Sequence, residues 1–380
     1  MTKIGNTFEA QVRDLASDGR GVVSHPDGRT MFAAGVWLGE RGVFRVSGIK
    51  GSVGFAELVE LLEPSLSRRE APCPYFGFTE NRCGGCAWQF VSYEAQLAAK
   101  QHRVDNAFAR IWSGDVSKIW PSTTEWSYRN RAQLKTDGKE LGFVAAKSNR
   151  LVAVEQCRVL SEKNQHTLSA LQQLLPNDDW RSRKKNQWNT LDIDESVSSE
   201  GVSIHKRLPF AQANTSQNLR MRDWLQNKLS KIEKHYSVLE LFCGSGNFTE
   251  IIAEQGFEKI LAVEGVLEPL QKLEERGFDN VKTLQVDLFS AEAFRKIWKN
   301  LDKADILVLD PPRDGLKNKE GLLKKKYPIQ EVFYISCDLA TLVRDLVFFI
   351  ESGFEIIEAQ PLDQFPQTPH IEMCVHLKKR

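Results

Sequence analysis

The sequence predicts an α/β protein with a doubly wound, Rossmann-like sheet in its C-terminal part and a small β-barrel at its N-terminus. From Phe210 to Arg380, short apolar runs alternate with helical patterns, as they do in βαβ units. Before residue 63, short Gly- and Val-rich runs are separated by turn signals at His25-Pro-Asp-Gly28 and Gly48-Ile-Lys-Gly51, a pattern typical of a small barrel. The region between them combines cysteines with short strands and indicates a central α+β domain.

Length and composition agree with this division. A chain of 380 residues is too long for a single ordinary core, so we expect three domains, at 1–62, 63–205 and 206–380. Apolar residues at 41% and charged residues at 27% are typical of a globular protein. No apolar run reaches membrane-spanning length, and the first 20 residues lack the apolar core of a signal peptide. We therefore expect a cytoplasmic monomer that has no membrane partner.

The net charge of +1 neither favours nor excludes a nucleic-acid partner, because a near-neutral total can conceal local basic patches. Three such patches occur, at Arg181–Lys185, Lys324–Lys326 and Lys378–Arg380. Each of them is more often a solvated surface than a phosphate contact. The short segment Tyr128-Arg-Asn-Arg131 combines an aromatic ring with two guanidiniums and suits RNA, although an ordinary surface strand has the same composition.

Cys337 is the candidate nucleophile of the C-terminal domain. It directly follows a predicted buried strand, Glu331 to Ser336, so its sulfur should emerge at the carboxyl end of that strand, where open α/β sheets bind their ligands. A second apolar run ends at Asp310 and places a carboxylate at the same edge. The run that begins at Val238 continues into a glycine turn and a helix start, as nucleotide-cofactor sites do. One crevice should therefore hold a cofactor, a carboxylate and a thiol.

The glycine turn also indicates which cofactor binds. The motif Gly244-Ser-Gly246-Asn-Phe-Thr lacks the third glycine of the dinucleotide fingerprint, which favours a cofactor without phosphates. Glu264 ends the next predicted strand, where an acidic side chain can accept hydrogen bonds from both ribose hydroxyls. Asp287 closes the following strand and is placed to meet an adenine edge. Together these residues favour S-adenosylmethionine over NAD.

The cysteine spacing predicts a metal site in the central domain. Three of the seven cysteines, Cys73, Cys83 and Cys86, occupy one loop with a Cys-Gly-Gly-Cys core, and Cys157 is the nearest candidate for a fourth ligand. Such spacing serves zinc and iron–sulfur clusters alike, and a buried free thiol at Cys157 beside a flexible turn is the structural alternative. Zinc ribbons usually supply two close pairs. Three clustered thiols with a distant fourth favour a 4Fe–4S cluster modestly.

A series of motifs from about residue 70 onwards resembles the RNA 5-methyluridine (uracil-C5) methyltransferase family, most closely its 23S rRNA branch, and residues 1–62 are similar to the TRAM barrel of many members. The motifs are Cys73, Cys83-Gly-Gly-Cys86 and Cys157; Tyr128-Arg-Asn-Arg131; Phe210-Ala-Gln212-Ala-Asn214; Leu241-Phe-Cys-Gly-Ser-Gly-Asn247-Phe; Val263-Glu264-Gly; Asp310-Pro-Pro-Arg313; Ser336-Cys337; and Phe365-Pro-x-Thr-x-His-x-Glu372.

The resemblance implies a class I methyltransferase domain, an RNA-binding barrel and a 4Fe–4S cluster on the four cysteines. It further implies that Cys337 adds to C6 of a uridine in RNA and that Glu372 is the base that removes the C5 proton. The partner would be RNA, and 23S rRNA in this branch. The implied S-adenosylmethionine contacts are Gln212, Phe242, Asn247, Glu264, Asp287 and Asp310.

Other functions predict different residues. Amino-group methyltransferases carry an aromatic ring after Asp-Pro-Pro, where this chain has Arg313, and they need no counterpart of Cys337. Cytosine-C5 RNA methyltransferases share the thiol chemistry but lack the iron–sulfur cysteines. A tRNA uridine-C5 methyltransferase and a non-catalytic RNA-binding or assembly factor remain as alternatives.

One residue departs from the family pattern beside the nucleophile. Ser336-Cys337 is usually followed by Asn-Pro, whereas here Asp338 and Leu339 follow. A carboxylate next to a thiol opposes its ionisation. We therefore expect Asp338 to hinder formation of the Cys337 thiolate.

Overall fold

The computed structural model describes residues 2–146, 148–182, 187–323 and 329–380. The chain forms two compact units. The first comprises Met1–Lys100, Thr124–Leu208 and Phe365–His370, and the second comprises Gln101–Thr123, Pro209–Gln364 and Ile371–Arg380. The basic segment Lys324–Lys326 lies outside the described residues, as does most of Arg181–Lys185, and the three-domain boundaries stay a prediction. Among the described residues, no helix is both long and apolar enough to cross a membrane.

The first unit begins with a six-stranded sheet that encloses its own core. Its order is β1-β5-β6-β4-β3-β2, and neighbours run antiparallel except for the parallel pair β4 and β6. Alternate side chains of these strands, such as Phe44 and Val46 in β5, are buried and pack with Phe8 and Met31. The predicted barrel is thus confirmed in part, as a barrel-like sheet. The strands are β1 (Thr7–Gln11), β2 (Asp14–Leu15), β3 (Gly21–Ser24), β4 (Thr30–Ala33), β5 (Arg41–Lys50) and β6 (Val53–Glu63).

A second, antiparallel sheet of the first unit has the order β10-β7-β8-β9. Helix α2 packs Leu168 and Leu171 against this sheet, and the side chain of Ser161 caps the helix by accepting from the Asn164 N–H. The short strands expected in the central region are thus present. Helix α1 (Tyr93–Phe108) precedes this part of the chain, which contains β7 (Arg131–Thr136), β8 (Leu141–Val144), β9 (Leu151–Ala153), α2 (Glu162–Gln172), β10 (Asn189–Asp194) and short 3-10 helices at Asp178–Trp180 and Ser199–Gly201.

The second unit is a seven-stranded sheet of order β13-β12-β11-β14-β15-β17-β16, of which the first five strands are mutually parallel. Its elements are α3 (Thr215–Leu229), β11 (Ser237–Leu241), α4 (Thr249–Glu254), β12 (Lys259–Glu264), α5 (Leu267–Glu274), β13 (Val281–Gln285), α6 (Ala293–Asn300), β14 (Ile306–Leu309), β15 (Glu331–Ser336), α7 (Leu339–Glu351), β16 (Phe354–Leu362) and β17 (Glu372–Lys379).

Both faces of this sheet are covered, because alternate residues of its central strands belong to different cores. Leu307 and Leu309 of β14 pack with residues of α6 and α7, whereas Ile306 and Val308 pack with residues of α3 and α4. Strands buried on both faces read as continuous apolar runs, as β14 does. The predicted doubly wound α/β fold is therefore confirmed.

The last strand departs from the prediction of a parallel sheet. Strand β17 lies between β15 and β16 and runs antiparallel to both. The connection from Leu362 to Glu372 contains nine residues, 363–371, whereas a parallel crossover needs about a dozen or more. The short connection therefore forces the antiparallel arrangement and returns the chain to the strand ends where Cys337 lies.

Candidate active site

The candidate site lies at the carboxyl ends of the central parallel strands of the second unit. Phe242 directly follows β11, Glu264 ends β12, Asp310 directly follows β14, and Cys337 directly follows β15. The strand order reverses at β11, with β12 on one side and β14 on the other. Such a switch point opens a crevice between the strand ends, and open α/β sheets bind their ligands there.

The register between β15 and β17 brings the predicted nucleophile and base together. Ser336 is paired with Met373 in an antiparallel ladder, so the next positions, Cys337 and Glu372, face each other where the ladder ends. Cys337 is half-buried, whereas the side chain of Glu372 is only 2% exposed. Residues separated by 35 positions in the sequence are thus neighbours at the sheet edge.

Burial dominates the electrostatics of this pair. It raises the pKa of the Cys337 thiol to about 12, and the carboxyl groups of Glu372 and Asp310 add to the rise. Burial also raises the pKa of Glu372 well above its ordinary value, with Asp310 acting in the same direction. The guanidinium of Arg313 opposes both shifts. In the free protein at neutral pH, Cys337 therefore holds its proton, and the ionised form of Glu372 is disfavoured.

Asp310 is the third acidic group of the site. Burial raises its pKa to about 7, although a hydrogen bond with Gln212 lowers it in part. Gln212 in turn accepts a hydrogen bond from the Gln364 amide at 3.1 Å, which fixes its orientation. Cys337, Glu372 and Asp310 thus all have raised pKa values in one crevice. Shifted pKa values cluster where chemistry occurs, so this crevice is a candidate functional site.

The structure gives Asp338 a second interaction, and its expected effect on the thiol stays a prediction. Its carboxylate caps helix α7 by accepting from the Thr341 N–H at 2.9 Å. Arg103 also lies close enough for its charge to interact with Asp338. Burial raises the pKa of Cys337 most, followed by the charges of Glu372 and Asp310.

The predicted cofactor loop has the features of a fixed binding loop. Phe242 adopts a φ of 62°, a left-handed conformation that is unfavourable for a bulky residue and that strained functional sites often contain. Gly246 has a φ of 94°, and a Cβ there would lie 2.6 Å from Leu273 Cδ1. The Phe242 ring packs against Phe289 with a centroid separation of 5.9 Å.

The three remaining predicted cofactor contacts are engaged with the protein itself. The Glu264 carboxylate accepts from the N–H groups of Gly244 at 3.1 Å, Gly265 at 2.7 Å and Val266 at 2.9 Å. The amides of Asn247 and Asn218 bind each other reciprocally at 2.9 Å. Asp287 is exposed and accepts from the Phe289 N–H. The structure thus binds the Glu264 carboxylate to the loop through Gly244, places Asn247 within the loop, and leaves Asp287 exposed.

Sequence reasoning missed Glu240, a carboxyl group in the middle of β11. It is 2% exposed and accepts from the Thr249 hydroxyl at 2.6 Å. Burial raises its pKa to about 8, and the charge of Asp310 adds to the rise. A single acidic residue within an otherwise apolar strand was the signal for this group.

The four predicted metal ligands meet in the first unit. Cys73, Cys83, Cys86 and Cys157 line one narrow cavity, although they are far apart in the sequence. Gln89 also lines this cavity, and its buried Oε1 atom has no hydrogen-bond partner. Within the described part of the chain, no three His, Cys, Asp or Glu side chains form a site for a metal ion. The cysteines therefore share a cavity without forming a site for one ion.

The interpretation of Tyr128-Arg-Asn-Arg131 as an RNA-stacking segment is wrong for its aromatic ring. Tyr128 is only 7% exposed, and its hydroxyl donates to the Pro366 carbonyl at 3.0 Å. Arg129 lies over the Phe365 ring, 5.7 Å from its centroid. The ring of Tyr128 belongs to the core of the first unit, where it is not accessible to a nucleotide base.

We expect Glu240→Gln to change the pH dependence of stability. The folded-state pKa of about 8 lies above the ordinary value of 4.5, so the parent loses stability as the pH rises from 4.5 to 8. The variant lacks this loss. Its free energy of unfolding relative to the parent should rise across that range with a slope of up to about 1.4 kcal/mol per pH unit. Urea unfolding at several pH values measures the difference.

Glu250 supplies the opposite case. Partial burial would raise its pKa, but hydrogen bonds from Arg222 and Arg276 hold that pKa below the ordinary value. Glu250→Gln should therefore be less stable than the parent at neutral pH, and the two should converge at acidic pH. A Glu240→Gln variant that parallels Glu250→Gln would contradict the assigned environments.

Known proteins resemble this chain over most of its length. Residues 181–380 match the family model described as tRNA (Uracil-5-)-methyltransferase. An uncharacterised RNA methyltransferase of Nitrosomonas europaea is 36% identical, with 98% of this chain and 97% of that protein covered. The 23S rRNA (uracil(1939)-C(5))-methyltransferase RlmD of Halomonas elongata is 31% identical, with 97% of this chain and 89% of that protein covered.

A solved structure shares the fold. The tRNA (uracil-54, C5)-methyltransferase of Pyrococcus abyssi, in complex with S-adenosyl-L-homocysteine, superposes with a TM-score of 0.70 at 19% identity, covering 97% of this chain and 99% of that one. The chain therefore has the fold of that methyltransferase. The matched family model and the relatives that align over most of their length show that the chain belongs to the tRNA (uracil-5-)-methyltransferase family, that is, to the RNA (uracil-C5)-methyltransferases.

Proposed function

We propose that this protein methylates C5 of a uridine in 23S rRNA, using S-adenosylmethionine and a covalent bond between Cys337 Sγ and C6 of the base. The observation that carries the proposal is the facing pair of Cys337 and Glu372 at the end of the β15–β17 ladder. The RlmD relative from Halomonas elongata supports 23S rRNA as the substrate. The tRNA enzyme from Pyrococcus abyssi, at 19% identity, supports the fold alone.

The chemistry requires both side chains of the pair. C5 of uracil is too weak a nucleophile to accept a methyl group unaided, and S-adenosylmethionine supplies that group in electrophilic form. Addition of the Cys337 thiolate to C6 makes C5 enolate-like. C5 could then form its bond to the methyl carbon while the bond from that carbon to the sulfonium sulfur breaks and its electron pair stays on the sulfur. Glu372 then takes the C5 proton, and the pair of electrons left at C5 restores the C5–C6 double bond as the Sγ–C6 bond breaks.

The electrostatics of the free site indicate when protons must move. The Cys337 thiol begins protonated and must ionise before addition. The Glu372 carboxyl group, whose ionised form burial disfavours, must be ionised to act as a base. Arg313 favours both ionised forms, since its charge lowers both pKa values. A bound cofactor cation would act in the same direction. A uridine in folded RNA must also be flipped out or already unpaired to reach the buried pair.

The residues at the strand ends fit S-adenosylmethionine. Phe242 offers an aromatic face beside Phe289, and the carboxyl groups of Asp310 and Glu264 lie at the ends of β14 and β12. We assign Gln212, Asn247 and Asp287 to the same cofactor. Acidic groups around the crevice suit a cofactor that carries a sulfonium and an ammonium charge.

We further propose that Cys73, Cys83, Cys86 and Cys157 hold a 4Fe–4S cluster. Their common cavity supports this assignment. Burial raises the pKa of Cys86 to about 12 and also raises the pKa of Cys157, and the positive charge of Arg129 offsets part of both rises. Ligands of one zinc ion must converge to about 2.3 Å from a single point, whereas cluster ligands each bind their own iron. The cluster would cross-link this part of the first unit.

The N-terminal sheet offers a surface for RNA. The guanidinium of Arg20 lies 5.1 Å from the ring centroids of both Phe32 and Phe55. All three side chains are half-buried, so part of each remains accessible. Guanidinium planes and aromatic rings are the groups on which unpaired bases stack. This surface supports the TRAM-like, RNA-binding role that we propose for residues 1–62.

Substitutions at the facing pair test the mechanism. Cys337→Ala should abolish methylation but retain binding of cofactor and RNA, because no step before the addition needs the sulfur. Glu372→Gln should permit addition and methyl transfer but stall elimination. A covalent protein–RNA adduct should therefore accumulate and be detected on denaturing gels. The Cys337→Ala, Glu372→Gln double variant is the control and should form none. Full activity of Cys337→Ala, or an adduct in the double variant, would refute the mechanism.

Mapping of 5-methyluridine tests the substrate. A strain that lacks this protein should lose 5-methyluridine from 23S rRNA and keep it in tRNA. The wild-type gene should restore the modification, and the Cys337→Ala gene should not. Loss confined to tRNA would show that the substrate is assigned incorrectly.

Metal analysis tests the cluster. Protein purified without oxygen should be brown and contain about four iron atoms per chain. Cys83→Ser and Cys86→Ser should lose iron, whereas Cys337→Ala, altered outside the first unit, should retain it. One zinc atom per chain without visible absorbance would eliminate the assignment.

A further inference from the structure

Two arginines, Arg276 and Arg222, donate hydrogen bonds to backbone carbonyl groups of the cofactor loop. Nη1 of Arg276 donates to the carbonyl of Gly246 at 2.9 Å and to that of Ser245 at 3.4 Å. Nη1 of Arg222, on α3, donates to the carbonyl of Asn247. Three consecutive carbonyl groups of the loop therefore point toward guanidinium groups.

Glu250, on α4, joins the two arginines. One of its carboxylate oxygens binds Nη2 of Arg222, and the other binds Nη2 of Arg276 at 2.5 Å. The three side chains are only 18%, 30% and 31% exposed for Arg222, Arg276 and Glu250 respectively, so solvent screens them incompletely. Three separate elements, α3, α4 and the end of α5, thus meet on one carboxylate.

The loop has little freedom to adopt another position. Its Asn247 amide is paired with Asn218 of α3. Gly246 packs so closely against Leu273 and Arg276 that a Cβ there would force these side chains to move. In a trans peptide, the N–H that follows each carbonyl points in the opposite direction. The arginines therefore fix both the position of the loop and the direction in which its amide groups point.

We propose that Glu250, Arg222 and Arg276 form an electrostatic clamp that fixes the loop Gly244–Asn247 and thereby sets the affinity for S-adenosylmethionine. These are positioning residues, because they act through the loop. The inference rests on the proposed function, which places the cofactor at this loop. The clamp depends on Glu250. Without its negative charge, the neighbouring guanidiniums of Arg222 and Arg276 would repel each other and displace the three carbonyl groups that they bind.

Neutralisation of Glu250 tests the clamp. In Glu250→Gln, the dissociation constant and the KM for S-adenosylmethionine should rise about five- to tenfold, as expected for loss of a partly buried ion network. The kcat at saturating cofactor should stay within about twofold, because the loop is not part of the reacting pair. Titration calorimetry and steady-state kinetics on the full-length protein measure both quantities.

Glu254→Gln is the matched control. Glu254 is exposed on the same helix, one turn beyond Glu250, and its substitution removes the same charge without touching the arginines. It should leave the dissociation constant unchanged. Equal effects of the two substitutions would overturn the clamp, because they would show a general effect of net charge.

Arg276→Lys provides a second route if Glu250→Gln does not fold. It keeps the charge but cannot contact Glu250 and the loop carbonyls together, so it should also weaken cofactor binding while preserving kcat. A parent protein that binds S-adenosylmethionine, with variants of equal affinity, would refute the clamp alone. A fall in kcat at unchanged affinity would refute it as well. A parent that binds no S-adenosylmethionine would overturn the proposed function and the clamp with it.

Discussion

The antiparallel insertion of β17 between β15 and β16 is the constraint on which the candidate site depends. Cys337 follows the end of a parallel strand, where α/β sheets commonly carry their catalytic groups. Its partner, Glu372, begins a strand that runs in the opposite direction. β17 begins at Glu372 beside the end of β15. The pairing of the two strands therefore sets the separation between the carboxyl group and the thiol. A parallel final strand would start at the other end of the sheet and carry Glu372 away.

Burial of acidic groups is the second determinant of the site. Glu240, Asp310 and Glu372 all have raised pKa values, because each lies in a poorly solvated environment and Asp310 acts on the other two. These groups lower the stability of the free protein at neutral and alkaline pH. Asp310 and Glu372 lie at strand ends, where the positive charge of the proposed cofactor would compensate for the missing solvent.

The sequence predicted much of the second unit because its strands are short apolar runs with polar residues at their ends. The strand before Cys337 was predicted at Glu331 to Ser336, and that is where β15 lies. The sequence did not predict that Asp338 caps a helix, because the direction of a short acidic side chain depends on where the next helix begins. Nor did it reveal the ion network of Glu250, since its three members lie 28 and 26 residues apart on separate elements. The burial of Tyr128 likewise depends on residues more than 200 positions away, which no local pattern reports.

The acidic crevice has a consequence for turnover. Transfer of the methyl group would convert a sulfonium into a neutral thioether, so the spent cofactor would leave with one positive charge fewer than it had on arrival. In a poorly solvated crevice lined by Asp310 and Glu372, that lost charge removes part of the electrostatic attraction. The reaction would thus lower the affinity of the site for the spent cofactor. The carboxyl groups that attract the methyl donor would then also limit inhibition by the cofactor that has lost its methyl group.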